Sequence, residues 1–183
     1  MSDKENQRLL LTAEDLERTI GRMAHQIWER NAGGNLALVG IRSRGGTLAQ
    51  RIKPRLEAMS GQEILVGVLD IGLYRDDIGK NSFTPQVRST DIPFDVENKD
   101  IVLVDDVLFT GRTVRSALNA LMDLGRPNRV QLLILVDRGH RELPIQADFV
   151  GVEVKTYANE MVRVCMKEDD GEDGVYILRN EPS

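Results

Sequence analysis

Two adjacent carboxylates, Asp105 and Asp106, follow the apolar run Ile101-Val102-Leu103-Val104 and precede Val107-Leu108-Phe109-Thr110-Gly111-Arg112-Thr113. The apolar run reads as a buried parallel strand, which puts the acidic pair at its carboxyl end. Beyond the loop, Val114, Ala117, Leu118 and Leu121 recur at helical spacing, and Gly125 and Pro127 mark the helix end. A helix N-terminus offers free N–H groups and the positive end of the dipole, which favour phosphate. Gly111 lets the backbone approach a ligand, and Thr110 and Thr113 add hydroxyls. The carboxylates repel phosphate but accept hydrogen bonds from sugar hydroxyls, or help to hold a cation. A ribose 5-phosphate satisfies both halves. A strand end with two solvated aspartates and an ordinary capped helix has the same spacing, so these residues alone leave both readings open.

A second strand-to-helix turn strengthens the ligand reading. Leu36 to Ile41 reads as a central strand, followed by Arg42-Ser43-Arg44-Gly45-Gly46 and a helix from about Thr47 to Met59. The amides of that turn, with Arg44, could cradle another phosphate group. Two such turns on neighbouring strands suit a ligand carrying both a pyrophosphate and a 5-phosphate. A third strand, Arg129 to Val136, runs into Asp137-Arg138-Gly139-His140-Arg141-Glu142-Leu143-Pro144. Strands alternating with helices predict an α/β fold with a mostly parallel sheet, and ligands bind such sheets at the strands' carboxyl ends.

The elements that position these residues are legible in order. Thr12 can cap a helix with Asp15 three residues on, and the helical period runs from Glu14 to Asn31. Leu16, Ile20, Met23 and Ile27 form its apolar stripe. Arg18, Arg22 and His25 stack on the opposite side, as a solvated face or a grip for a phosphate backbone, diluted by Glu29. Ile64 to Leu73 predicts a strand. The polar stretch from Tyr74 to about Thr90 lacks an apolar period and suggests a lid. Ala147 to Val154 is apolar, Met161 to Met166 alternates, and Val175 to Leu178 pairs back across a turn as a hairpin. The acidic turn from Asp169 to Gly174 lacks the spacing and terminal Glu of a calcium loop.

Composition bounds the classes. The 183 residues predict a single domain spanning 1–183, and 41% hydrophobic with 29% charged residues are those of an ordinary globular chain. No apolar run approaches the length of a membrane span, and Asp3, Lys4 and Glu5 do not open a signal peptide. The lone cysteine, Cys165, cannot form an internal disulfide, which points to a cytoplasmic protein. A net charge of −5 argues against indiscriminate nucleic-acid binding, though not against a local basic patch.

The stretch from Ile101 to Thr113 resembles the PRPP-binding fingerprint of type I phosphoribosyltransferases. Further stretches resemble one branch, the bifunctional pyrimidine-operon attenuation regulators and uracil phosphoribosyltransferases. They are Leu38 to Ile41 with Arg44-Gly45, Leu69-Asp70-Ile71 with Leu73 to Asp77, Asp123 to Pro127, and Val136 to Ile145. The resemblance implies the type I fold with a lid at about 74–90, and a hood at about 137–160 with the C-terminal hairpin. It implies UMP and pyrophosphate made from uracil and PRPP with magnesium, and binding of pyrimidine-operon leader RNA when UMP is bound. A homodimer or higher homo-oligomer is also implied.

Carried over residue by residue, Asp105 and Asp106 would hold the ribose diol. Thr110, Gly111, Arg112 and Thr113, with Val107 and Leu108, would form the PRPP and UMP loop. Ser43, Arg44 and Gly45 would face pyrophosphate. Arg75 would assist catalysis, with Asp76 and Asp77 near magnesium. Val136, Asp137 and Arg138 would read uracil, unless the Asp137 to His140 stretch is a turn held by local salt bridges. Arg18, Arg22 and His25 would meet RNA. The chain departs from the family at Gly21, where a threonine is usual, and at Gly151 to Tyr157, where a lysine and a proline are missing. Gly46 and Gly72 replace a usual isoleucine and threonine near the substrate loops. Three further readings stand beside the bifunctional one: a transferase without RNA binding, a UMP-sensing RNA regulator with decayed catalysis, and a purine transferase.

Overall fold

The computed structural model describes residues 7–72 and 90–179. Five strands form a parallel sheet: β2 (Leu36–Ile41), β3 (Leu65–Leu69), β4 (Asp100–Leu108), β5 (Arg129–Asp137) and β6 (Phe149–Glu153). Their order is β3-β2-β4-β5-β6, and every pairing is parallel. A second, antiparallel sheet has the order β1-β8-β7, from Gln7–Leu11, Gly174–Arg179 and Glu160–Cys165. The α/β class and parallel sheet expected above are those observed.

The parallel sheet is covered on both faces because its strands carry apolar residues in both directions. Along β4, Val102 and Val104 enter one core and Ile101 and Leu103 the other. The first core is completed by helix α1 (Ala13–Asn31) and helix α2 (Arg44–Ser60), through Leu16, Ile20, Ile27, Leu48, Ile52 and Leu56. The inward residues of β7 and β8, such as Val164 and Ile177, join the same core. Helix α3 (Arg112–Met122) covers the other face through Val114, Ala117 and Leu121. Thr12 and Asp15 close a capping box on α1, as their spacing predicts.

Several boundaries differ from the sequence reading. β4 continues through the acidic pair to Leu108, because Asp105, Val107 and Leu108 stay in register with Ile134, Val136 and Asp137. α2 starts at Arg44 rather than Thr47, so Arg44, Gly45 and Gly46 are its first turn. β3 ends at Leu69. β1 was not anticipated; Gln7 to Leu11 is too short a run to show a period and becomes a strand by pairing with β8. The acidic turn after β7 contains one helical turn, α4 (Lys167–Asp170). The expected lid falls outside the described residues except for Thr90, as do Arg75, Asp76 and Asp77. Among the described residues no helix is long and apolar enough to cross a membrane.

Candidate active site

The chain passes from β2 outward to β3, then returns to β4 on the other side of β2. α2, which leaves β2, and α3, which leaves β4, therefore lie on opposite faces of the sheet. This is the topological switch point of an open α/β sheet, where a crevice opens at the carboxyl ends of the two strands. A cleft of about 440 Å³ occupies it. Ile41, Arg42, Ser43 and Arg44 line one wall, Asp105, Asp106, Val107 and Thr113 another, and Asp70, Ile71 and Gly72 a third.

The glycines of the α2 turn serve packing as much as ligand approach. A Cβ on Gly45 would run into the carbonyl of Val104, and one on Gly40 into the backbone of Gly45 and Gly46. Helix α2 thus sits against β2 and β4 only because side chains are absent there. On the other wall, Gly111 has φ 91° and makes the turn into α3. The Thr110 carbonyl accepts from the amides of Glu142 (2.9 Å) and Leu143 (3.1 Å), which folds the 139–145 loop over the start of α3. Arg112 reaches the same loop through Glu142 at 2.6 Å.

Asp105 and Asp106 each fold back on the strand. Asp105 Oδ1 accepts from the Asp106 amide at 3.0 Å, and Asp106 Oδ1 from the Val107 amide at 2.9 Å. Burial, then the charge of Asp106, pushes the Asp105 carboxyl well above the usual carboxylate range. Burial pushes Asp106 up too, against bonds from Asp105 and Val107 and the nearby charge of Arg44. The folded protein therefore binds more protons here than the unfolded chain. Stability at this pair is greatest at low pH and declines as pH rises through the raised values, while the capacity to accept sugar hydroxyls grows. The urea midpoint of the parent chain, taken relative to that of Asp105→Asn, should fall as pH rises from about 4, the ordinary aspartate value. Identical pH profiles for the two proteins would refute this account.

A second cavity, about 650 Å³, lies beyond the ends of β5 and β6 among Asp137 to Arg141 and Glu153 to Thr156. Arg138 is 6% exposed. Its guanidinium donates to Thr156 Oγ1 (3.1 Å) and to the carbonyls of Glu160 (2.6 Å) and Tyr157 (3.4 Å), and stacks 4.0 Å over the Phe109 ring. Asp137 pairs with Arg141 at 2.6 Å and accepts from the Gly139 amide. The local salt bridge weighed for this turn is present, and it shapes the cavity wall.

The structure brings Ser43, Arg44, Asp105, Asp106, Val107 and Thr113 into one cleft. Gly45 sits behind the cleft wall against Val104, and Thr110, Gly111 and Arg112 build the turn that carries Thr113. Leu108 and Val136 line neither cavity. Both are core residues, at 1% and 0% exposure, Leu108 packed in the core under α3 and Val136 in the core under α1 and α2. Arg42 and Asp70, which line the cleft, were missed, although both follow the last residue of a strand, where a ligand-facing residue is expected. Phe109 was missed as well; the signal was an aromatic between the acidic pair and the phosphate loop.

Arg18, Arg22 and His25 share the exposed side of α1. Arg18 pairs with Glu14 and Asp15 on its own helix. Arg22 donates to the carbonyls of Val150 (3.4 Å) and Gly151, so it pins β6 to α1.

Residues 7–169 match the phosphoribosyl transferase domain family. The bifunctional protein PyrR of Chloroflexus aurantiacus is 55% identical over 175 residues, 95% of this chain and 96% of its own. That of Thermus aquaticus is 57% identical over 173 residues, 94% of this chain and 96% of its own. The chain belongs to the PyrR family of phosphoribosyltransferases. This PyrR-family chain is thus a glycosyltransferase of the branch that its motifs resembled. Solved structures agree on the PyrR-family chain's fold. A hypoxanthine phosphoribosyltransferase from Staphylococcus aureus superposes with a TM-score of 0.70 at 20% identity, covering 94% of this chain and 92% of that one. One from Trypanosoma cruzi does so with a TM-score of 0.72 at 17% identity, covering 93% and 94%. At such identities the likeness concerns the fold alone.

Proposed function

We propose that this PyrR-family chain transfers a 5-phosphoribosyl group from PRPP to uracil, and that UMP in the same cleft tunes binding to pyrimidine-operon leader RNA. The observation that carries the transferase half is the cleft at the switch point. It sets the acidic pair, Asp105 buried and Asp106 half-buried, between the first turn of α2 and the Thr113 end of α3. Asp105 and Asp106 accept hydrogen bonds from the ribose diol. Thr113 and the amides of the Thr110–Thr113 turn hold the 5-phosphate, with the dipole of α3 behind them. Arg44, with Ser43 and the turn at Gly45, faces the pyrophosphate. The second cavity takes the base, which meets Asp137 and Arg138 in its wall.

Departure of pyrophosphate leaves an oxocarbenium-like C1. The protein's part is to aim the base nitrogen at C1 and to stabilise the charge on the leaving group through Arg44. No covalent nucleophile is needed, so buried Cys165 has no part. Magnesium fits this donor set. Asp70, Asp105 and Asp106 bring hard carboxylate oxygens to one cleft, and the burial that disfavours charge on the acidic pair leaves it in need of a counter-cation. Among the described residues no group of three or more His, Cys, Asp and Glu could hold the ion alone, so its remaining ligands would be substrate and water. Bound there, magnesium would supply charge neutralisation for the departing pyrophosphate. Arg75, Asp76 and Asp77 belong to this proposal on the motif alone, as do the lid, the hood and a homo-oligomer.

A second reading, a transferase without RNA binding, is favoured by the α1 face. Arg18 is spent on Glu14 and Asp15, and Arg22 on β6. One experiment separates them. Uracil, hypoxanthine, guanine and orotate are offered with PRPP and magnesium, and a leader RNA is titrated with and without UMP. UMP formation from uracil with UMP-dependent RNA binding is the expected result. Turnover without RNA binding at moderate salt would leave the second reading. RNA binding without turnover would leave a sensor, and turnover of purines alone would overturn the base assignment.

A further inference from the structure

The acidic turn between β7 and β8 grips the first two turns of α2. Arg44 Nη2 lies 2.7 Å from Asp170 Oδ1, and Thr47 Oγ1 donates to Asp169 Oδ2 at 2.7 Å. One turn further on, Arg51 Nε donates to Glu168 Oε1 at 2.9 Å, and Nη2 to Asp173 Oδ1 at 2.6 Å. The turn is itself knitted: Asp170 Oδ2 accepts from the Met166 amide at 3.0 Å, and Asp173 Oδ1 from the Lys167 amide at 2.8 Å. Asp170 therefore spends one carboxylate oxygen on its own turn and the other on Arg44. Its side chain is 12% exposed, against 33% for Arg44.

Arg44 is held by one edge only. It lines the phosphate cleft, and its Nε is buried with no hydrogen-bond partner among the described residues. Burial disfavours its charge, but Asp170, with Asp106 and Asp169, holds the guanidinium above its ordinary value, so it stays a cation. An arginine tethered at one nitrogen and unspent at another is a pre-aimed anion clamp. The tether removes rotamer freedom that would otherwise be lost on binding, and it does so from a different sheet.

We propose that Asp170 is a positioning residue for phosphoribosyl transfer: it fixes Arg44 at the rim of the cleft so that the guanidinium meets the pyrophosphate of PRPP already oriented. This rests on the proposed role of Arg44. Because the tether comes from the C-terminal hairpin, that hairpin is joined to the chemistry by one carboxylate rather than only by packing.

The test compares Asp170→Asn, Glu168→Gln and Arg44→Ala with the parent chain by steady-state kinetics and thermal melts. An asparagine cannot keep both bonds, since its amide nitrogen accepts from neither Arg44 nor the Met166 amide. Asp170→Asn should raise the KM for PRPP about ten-fold, with the KM for uracil unchanged. Glu168→Gln loosens the same turn at Arg51 without touching Arg44, so it should lower the melting temperature while leaving the KM for PRPP at the parent value. Equal PRPP effects in Asp170→Asn and Glu168→Gln, or a parent PRPP KM in Asp170→Asn, would overturn the proposal. Arg44→Ala tells the two failures apart. If it is impaired for PRPP and Asp170→Asn is not, only the tether is wrong. If Arg44→Ala itself shows the parent KM, the pyrophosphate role of Arg44 is wrong, and the proposal goes with it.

Discussion

Asp106→Asn is expected to lower kcat/KM for PRPP about a hundred-fold, the scale of a lost hydrogen bond to a charged group in a buried site. The substitution keeps the shape of the side chain and the bond from the Val107 amide, and removes the charge that accepts a sugar hydroxyl. It should also make the protein more stable. Asp105 is buried with Asp106 half-buried beside it, and the charge of Asp106 is the second-largest cause, after burial, of the high value of Asp105. Removing one charge relieves the repulsion, so activity and stability should move in opposite directions, as they do where a fold carries strain for function. Steady-state kinetics with PRPP and urea unfolding at neutral pH measure both. Parent kinetics in this variant would end the diol assignment. A loss of stability as large as the loss of activity would make the pair structural instead.

Gly45→Ala is expected to cost about 3 kcal/mol of stability or more, since overpacking against backbone finds no flexible side chain to yield. The added methyl group would meet the carbonyl of Val104 and press on the backbone of Asp105, the first member of the acidic pair. Relief requires α2 to lift from the sheet, which carries Arg44 away from the cleft. Denaturant unfolding should show the stability loss, and turnover at a temperature where the variant is folded should fall as well. Gly139→Ala is the contrast. Its φ of 74° strains an alanine, but nothing lies within 4 Å of the new atom, so about 1 kcal/mol is expected there. Equal costs at the two positions would refute close helix-to-sheet packing as the reason for glycine at 45.

What could be read directly from the chain were the features with a local physical cause. The 3.6-residue apolar period located α1, and Thr12 with Asp15 located its start. Continuous apolar runs located β2, β4 and β5, because strands covered on both faces need no polar side. The chemistry of the site was legible too, in acidic residues and small-residue turns near strand ends. Boundaries set by partners were less so. β4 runs on through its two aspartates because β5 is there to pair with Asp105, Val107 and Leu108, and β1 exists because β8 offers an edge. Tertiary structure alone decided that the β2 and β4 turns share one cleft. That follows from strand order, which placed β3 and β5 on opposite sides and sent α2 and α3 to opposite faces. It also decided that Asp170, 126 residues from Arg44, stands against it. A pairing over that distance leaves no periodicity in the chain, since it arises only when two separately formed sheets pack on one core.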